Sequence, residues 1–140
     1  PPALNIIIDD VVVETKTVKY TSKRTQADRF WLVLCELCDL NYDFDAIVVE
    51  QQFVGIMSQI VGVVRAFAGK KHLKATTFVP SSWRKQLTGS GKASEEQVKS
   101  FVGKKYDISN LDEHQIDTLA LYIAYKKVLD DQSTLRGNEE

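Results

Sequence analysis

Glu50 is the first residue of this 140-residue sequence with both the type and the position that metal-dependent chemistry requires. It directly follows the apolar run Ile47-Val48-Val49, which is typical of a strand buried on both faces and paired in parallel. Functional groups in open α/β sheets gather just past the carboxyl ends of such strands. Because a buried glutamate is costly without a cation or hydrogen bonds, we interpret Glu50 as a metal ligand. The alternative is a carboxylate that turns out to solvent.

A second acidic group opens the last predicted helix, over residues 112–117. His114 and Asp117 are three residues apart and therefore share one face of that helix. Asp112 and Glu113 are explained by the preference of acidic residues for the positive end of the helix dipole. That preference explains Asp117 poorly, because it lies in the second turn among apolar residues. His114, taken alone, is typical of a surface or capping histidine.

Carboxylates with one histidine suit Mg²⁺, or Mn²⁺ in its place, better than zinc. Two such ions about 4 Å apart can activate water and stabilise the leaving oxygen in phosphodiester hydrolysis. The sequence contains no Walker loop and no G-x-G-x-x-G motif, and His72 lies in a basic segment that does not support a nucleophilic triad. Cys35 and Cys38 lie three residues apart on one face of a predicted helix and are expected to be buried thiols. A zinc site would need two more soft ligands.

Composition favours one compact domain over residues 1–130 with a polar tail over 131–140, since 44% of the residues are hydrophobic. No apolar run is long enough for a membrane span, and the two cysteines favour a reducing cytoplasm, that of a bacterium or a phage-infected host. The net charge of −1 argues against a nonspecific DNA-binding protein. Residues 65–105 nevertheless carry ten basic residues against two acidic ones. This segment fits a phosphate-binding face or, equally, a solvated lysine-rich surface.

The elements that must position these residues follow from hydrophobic periodicity and turn residues. The patterns predict strands over 3–8 and 11–20 joined by Asp9-Asp10, a helix over 25–41, a strand over 45–50, a helix over 57–67, a strand over 74–79, a short amphipathic turn over 82–87, a flexible loop over 88–92, and helices over 94–105 and 112–130. The expected fold is therefore α/β, with an antiparallel hairpin and parallel strands in a mixed sheet flanked by helices.

Three motifs, spread over residues 25–128, resemble RuvC-type Holliday junction resolvases of the phage and bacterial branch. The first is the Glu-Gln pair that follows an apolar strand in Ile47–Phe53. The second is the segment that contains Val79-Pro80, Trp83-Arg84-Lys85, Gly89-Ser90-Gly91-Lys92-Ala93 and Gln97-Val98. The third is the closing pattern His114-x-x-Asp117-Thr118-Leu119-Ala120-Leu121. The resemblance implies an RNase H-like fold, a divalent metal, and a homodimer that nicks four-way junctions and other branched DNA.

Residue by residue, the resemblance implies that Glu50 and Asp117 bind metal and that His114 serves as a ligand or proton-transfer group. It matches the helix over residues 53–69 to the family's dimer-forming helix. The leading hypothesis also places five basic residues against DNA phosphates: Lys70, Lys71, Arg84, Lys85 and Lys92.

The family's first catalytic aspartate ends a strand that precedes the hairpin. We expect that strand upstream of Pro1; the alternative is that Asp9 or Asp10 is this acid. Two other functions stay open at this point. One is a noncatalytic dimer that binds branched DNA on the same scaffold, and the other is an RNase H-like nuclease acting on RNA or RNA–DNA hybrids.

Overall fold

The computed structural model describes residues 3–18, 23, 25–51 and 55–139, with the side chains of all of these except 56 and 134–139. The chain divides into two compact units, Pro1–Phe78 and Val79–Glu140. The first contains β1 (Ala3–Ile8), β2 (Val11–Thr17), α1 (Gln26–Cys38), β3 (Ala46–Glu50), α2 (Gly55–Lys70) and β4 (Lys74–Phe78). The second contains α3 (Pro80–Thr88), α4 (Glu95–Gly103) and α5 (Glu113–Glu139).

The predicted hairpin is confirmed, because β1 and β2 pair antiparallel. Asp9 and Asp10 are its two turn residues, and both have positive φ, 51° and 64°, as a two-residue type I′ turn requires. The register shifts between Ile6 and Ile7, which marks a bulge. On β2, the Nζ of Lys16 lies 3.3 Å from the carboxylate of Glu14, which raises the pKa of Lys16.

The predicted parallel pairing is also confirmed: β3 and β4 run in the same direction, with Glu50 opposite Phe78. In the described part of the chain, the strands thus form two two-stranded sheets, β1–β2 and β3–β4. Helix α2 connects β3 to β4 and packs against both strands and against α1. This arrangement is the expected one for parallel strands, which need a crossover helix.

The core of the first unit joins the end of β2 to helices α1 and α2. Its buried members are Val18, Val33, Leu37, Ile60 and Phe67. Thr25 is the N-cap of α1, and its hydroxyl accepts a hydrogen bond from the N–H of Asp28. The expectation of two buried cysteine thiols was wrong for Cys38, which is exposed at the last turn of α1, while Cys35 is half-buried.

The second unit packs its three helices around fully buried side chains. Trp83 on α3, Val98 and Val102 on α4 and Leu119 on α5 are its largest members. The ammonium of Lys127 on α5 donates to the carbonyl oxygen of Leu87 at 3.2 Å, which satisfies a carbonyl near the end of α3. Helix α5 continues past the expected end at Asp130 as far as Glu139, so the polar tail is helical over residues 131–139.

The loop that leads into α5 is held by its own polar groups. The hydroxyl and the backbone N–H of Ser109 donate to Oδ1 of Asp107 at 2.7 and 3.1 Å, which lowers the pKa of the Asp107 carboxyl. Among the residues that the structure describes, no helix has the length and apolar character needed to cross a bilayer.

Candidate active site

Glu50 occupies the position that the sequence predicted, as the last residue of β3. The backbone N–H of Gln51 donates to the carbonyl oxygen of Phe78 at 2.7 Å, so the parallel ladder extends one residue past Glu50. This bond fixes the backbone of Glu50 at the carboxyl end of the strand pair. Its side chain is half-buried. The site of the first unit is therefore a carboxylate held by a regular strand, where α/β sheets carry functional groups.

A reciprocal capping box fixes the start of α5 in the second unit. The N–H of Gln115 donates to Oδ1 of Asp112 at 2.9 Å, and the N–H of Asp112 donates to Oε1 of Gln115 at 3.1 Å. Asp112 is thus the N-cap of the helix, which agrees with the helix-end interpretation of this residue. The box sets the rotation of the first turns of α5. It places Glu113 and Asp117, four residues apart, on the same face of the helix.

Glu95 on α4 joins these two residues of α5. One carboxylate oxygen from each of Glu95, Glu113 and Asp117 lies within 4.8 Å of the others, and we call these three residues the carboxylate cluster. Glu95 and Asp117 are half-buried and Glu113 is exposed. Like charges at this separation repel each other, and the i, i+4 pair on α5 disfavours the helix as well. The cluster therefore works against stability unless a cation offsets its charge.

Arg84 on α3 is a cation next to the carboxylate cluster. Its Nη2 lies 3.7 Å from Oε2 of Glu95. Its guanidinium carbon lies 5.1 Å from the centroid of the Trp83 ring, in the range of a cation–π contact. Trp83 is fully buried. The ion pair thus links α3 to α4 beside the cluster.

The cluster fits a hard divalent cation by its donor set, since three carboxylates offer only oxygen ligands. The Oε1 atom of Glu95 adds a structural observation: it is buried and has no hydrogen-bond partner among the described residues. Buried carboxylate oxygens are normally satisfied, and a metal ion would satisfy this one. Glu95, Glu113 and Asp117 would be the residues of this unit that hold a Mg²⁺ or Mn²⁺ ion.

The loop between α3 and α4 makes defined backbone contacts. Gly89 ends α3 with φ of 90°, a conformation that favours glycine, and its N–H donates to the carbonyl of Lys85 at 2.8 Å. A Cβ on Gly91 would lie 3.1 Å from the carbonyl oxygen of Ser81, so the loop packs closely on α3. Helix α4 then begins with a capping box between Ser94 and Gln97. The exposed side chain of Lys92 is carried by this ordered loop.

The predicted basic residues occur in both units. Lys70 and Lys71 lie at the end of α2 in the first unit, and Lys85 and Lys92 lie in the second; all four are exposed. Arg84 differs from them because it is half-buried and ion-paired. The four lysines are accessible to a ligand, and their role as phosphate contacts stays a prediction.

Of the three predicted metal-site residues, the structure gathers Asp117 with further acidic residues. His114 is exposed, outside the carboxylate cluster, and its role stays a prediction. Sequence reasoning attributed Glu113 to the helix dipole, although its i, i+4 spacing to Asp117 was a signal of proximity. It missed Glu95 altogether, because no sequence pattern joins a residue of α4 to one 22 positions later; only the packing of α4 on α5 brings them together.

The sequence profile of the family described as "Crossover junction endodeoxyribonuclease RuvC" matches residues 7–125. A Thermus thermophilus RuvC structure aligns with a TM-score of 0.75 at 18% identity, covering 86% of this chain and 80% of the other. T. thermophilus RuvC in complex with a Holliday junction substrate aligns with a TM-score of 0.73 at 18% identity, covering 84% and 78%. No curated protein matches the sequence. The likeness to these structures confirms the expected RNase H-like α/β fold.

Proposed function

The chain belongs to the RuvC family, and from this premise we propose that it is an endonuclease that nicks Holliday junctions and other branched DNA with Mg²⁺, for which Mn²⁺ can substitute. The observation that carries the metal-dependent part is the gathering of Asp117 with Glu95 and Glu113, whose carboxylate oxygens lie within 4.8 Å of one another. T. thermophilus RuvC has been seen with a Holliday junction substrate, which supports the same class of DNA for this chain.

Each candidate residue has its own role in the proposed phosphodiester hydrolysis. Two divalent ions, when bound, would supply Lewis acidity and an activated water for the displacement at phosphorus. Glu50 and Asp117 would hold the ions through carboxylate oxygens. The imidazole of His114 would be a further ligand or would move a proton at the reacting oxygens. The exposed lysines Lys70, Lys71, Lys85 and Lys92 hold the DNA phosphates.

The first test is neutralisation of Glu50, measured as the nicking rate of a four-way junction by the full-length protein in Mg²⁺ and in Mn²⁺. We expect Glu50→Gln to slow nicking by about a hundredfold or more, because it removes a charge that orients the reacting groups. Asp45→Asn is the matched control, since Asp45 is exposed just before β3, at its opposite end. A Glu50→Gln rate within a few-fold of wild type would contradict the assigned site.

The same assay distinguishes the other functions. Junction binding that persists in EDTA, with no nicking in Mn²⁺, would instead favour a noncatalytic junction-binding protein. Faster cleavage of RNA or an RNA–DNA hybrid than of the junction would favour an RNase H-like nuclease of another specificity.

We further propose that the protein is a homodimer whose interface is formed by α2, the described helix that overlaps the predicted segment 53–69; residues 53 and 54 lie outside the described residues. Small side chains support this proposal, because Gly62, Ala66 and Gly69 are all exposed and spaced to share one helix face. The opposite side of α2 packs on the core through Ile60 and Phe67. A face without long side chains lets a second helix approach closely.

A further inference from the structure

Arg84 differs from the other predicted phosphate-binding residues in its surroundings. Its guanidinium lies over the ring of the buried Trp83, and its Nε atom is itself buried. Lys85, the next residue, is exposed, and so is Lys92. The Arg84 side chain is 31% exposed, and the buried ring beneath the guanidinium limits how it can move.

The charge of Arg84 is directed toward an acidic partner. Its Nη2 lies 3.7 Å from Oε2 of Glu95, and Glu95 is the member of the carboxylate cluster contributed by α4. Arg84 is thus in contact with the only cluster residue that does not belong to α5. Arg84 links Glu95 to α3, while the packing of α4 on α5 places Glu95 beside Glu113 and Asp117.

We propose that Arg84 balances the charge of the metal site and is not a phosphate contact. It pairs with Glu95, offsets part of the repulsion among the three carboxylates while no cation is bound, and competes with a bound cation for Glu95. The inference rests on the proposed function, which places a divalent cation at Asp117. It changes the expected role of Arg84, because its effect on cation binding and its effect on DNA binding become separable.

The first test measures the affinity of the full-length protein for Mn²⁺ in the absence of DNA by isothermal titration calorimetry. We expect Arg84→Gln to tighten Mn²⁺ binding about three- to tenfold, because a positive charge close to a divalent ion is removed. We expect Glu95→Gln to weaken binding at least about threefold, because a carboxylate near the ion is lost. Opposite effects of the two partners of one ion pair are not expected if the pair only stabilises the fold.

Two control variants accompany this measurement. Arg84→Lys keeps the charge, and we expect it to bind Mn²⁺ close to wild type and so to reverse the effect of Arg84→Gln. Lys104→Gln removes a charge nine residues after Glu95 in the sequence, which is about 13 Å from Glu95 at the rise of an α-helix. At that separation the charge is largely screened, and Mn²⁺ affinity is expected to change by less than about twofold.

The second test is the salt dependence of junction binding in EDTA. We expect Lys85→Gln to reduce the slope of log affinity against log salt by about one, as the loss of one phosphate contact does, and Arg84→Gln to leave the slope unchanged. An equal reduction in Arg84→Gln would make Arg84 a phosphate contact and overturn the inference. Unchanged or weaker Mn²⁺ binding by Arg84→Gln would also overturn it.

The outcomes separate this inference from the proposed function. If the wild-type protein binds no Mn²⁺, or if Asp117→Asn binds it equally well, the proposed metal site fails and the inference fails with it. If the wild type binds Mn²⁺ through Asp117 while Arg84→Gln binds no more tightly, only the role of Arg84 is wrong.

Discussion

At the scale of single residues, backbone conformation accounts for positions whose side chains suggested chemistry. Asp9 and Asp10, considered as candidates for a further catalytic acid, have positive φ because they form the tight turn between β1 and β2. His72 also has positive φ, 56°, and ends α2: its N–H donates to the carbonyl of Gly69 at 3.2 Å, and the N–H of Leu73 donates to that of Ala68 at 2.9 Å. These bonds form a Schellman motif, whose left-handed residue is usually glycine.

We expect His72→Gly to raise the free energy of unfolding by about 0.5–1 kcal/mol. The left-handed conformation costs a residue with a Cβ roughly 1–2 kcal/mol, and the greater backbone freedom of glycine in the unfolded chain cancels part of that gain. Urea unfolding of the purified protein measures the difference. Lys71→Gly is the matched control and should lower stability, because Lys71 is not among the positive-φ residues. A loss of stability in His72→Gly would contradict this account.

At the scale of elements, two capping boxes determine where the site residues lie. Ser94 with Gln97 starts α4 one residue before Glu95, and Asp112 with Gln115 starts α5 one residue before Glu113. Each box fixes the first turn of its helix, so the cluster residues at these helix starts have defined backbone positions. Both boxes have the same local form, an N-cap residue followed three positions later by Gln.

Substitutions of Asp112 test whether it caps the helix or binds metal. We expect Asp112→Ala to lower the free energy of unfolding by about 1 kcal/mol, and Asp112→Ser to lower it by much less, because serine is also a good N-cap. Asp112→Ser should weaken Mn²⁺ binding far less than Asp117→Asn does, since the Asp112 carboxylate is occupied by the N–H of Gln115. Chemical denaturation and calorimetry provide the two measurements. Equal losses of Mn²⁺ affinity in the two variants would make Asp112 a ligand.

At the scale of the whole molecule, the assembly proposal concerns apolar and small residues that the first unit exposes. The proposed dimer face on α2 contains Gly62, Ala66 and Gly69, and α1 presents Trp31, whose side chain is 64% exposed. A Cβ added to Gly62 would meet no atom within 4 Å, so the position is open at the surface of the protomer. This position therefore separates an effect on assembly from an effect on folding.

We expect Gly62→Arg to convert the dimer to a monomer, because two long charged side chains would be forced into a close helix contact. Sedimentation equilibrium measures the mass, and an unchanged circular dichroism spectrum of the monomer would show that the protomer is still folded. Trp31→Ala should leave the dimer unchanged. Dissociation by Trp31→Ala but not by Gly62→Arg would place the interface on α1.

The sequence by itself determined the elements of this protein and Glu50 as a strand-end carboxylate. Alternation and turn residues predict the hairpin, a continuous apolar run predicts β3, and acidic residues that favour a helix N-terminus mark the start of α5. These features were predictable because each depends on residues within a few positions of one another. The same local argument failed at Cys38, where periodicity predicted a core residue but the helix ends and leaves the thiol exposed.

Only the tertiary structure decided which carboxylates lie beside Asp117 and which residue pairs with Arg84. Glu95 joins Asp117 because α4 packs on α5, and Arg84 reaches Glu95 because α3 packs on α4. Charge attraction, repulsion and burial depend on distances in space, and residues distant in sequence have no periodic relation that reveals those distances. The residue types thus indicated candidates for metal binding, while helix packing determined which carboxylates and which guanidinium lie together.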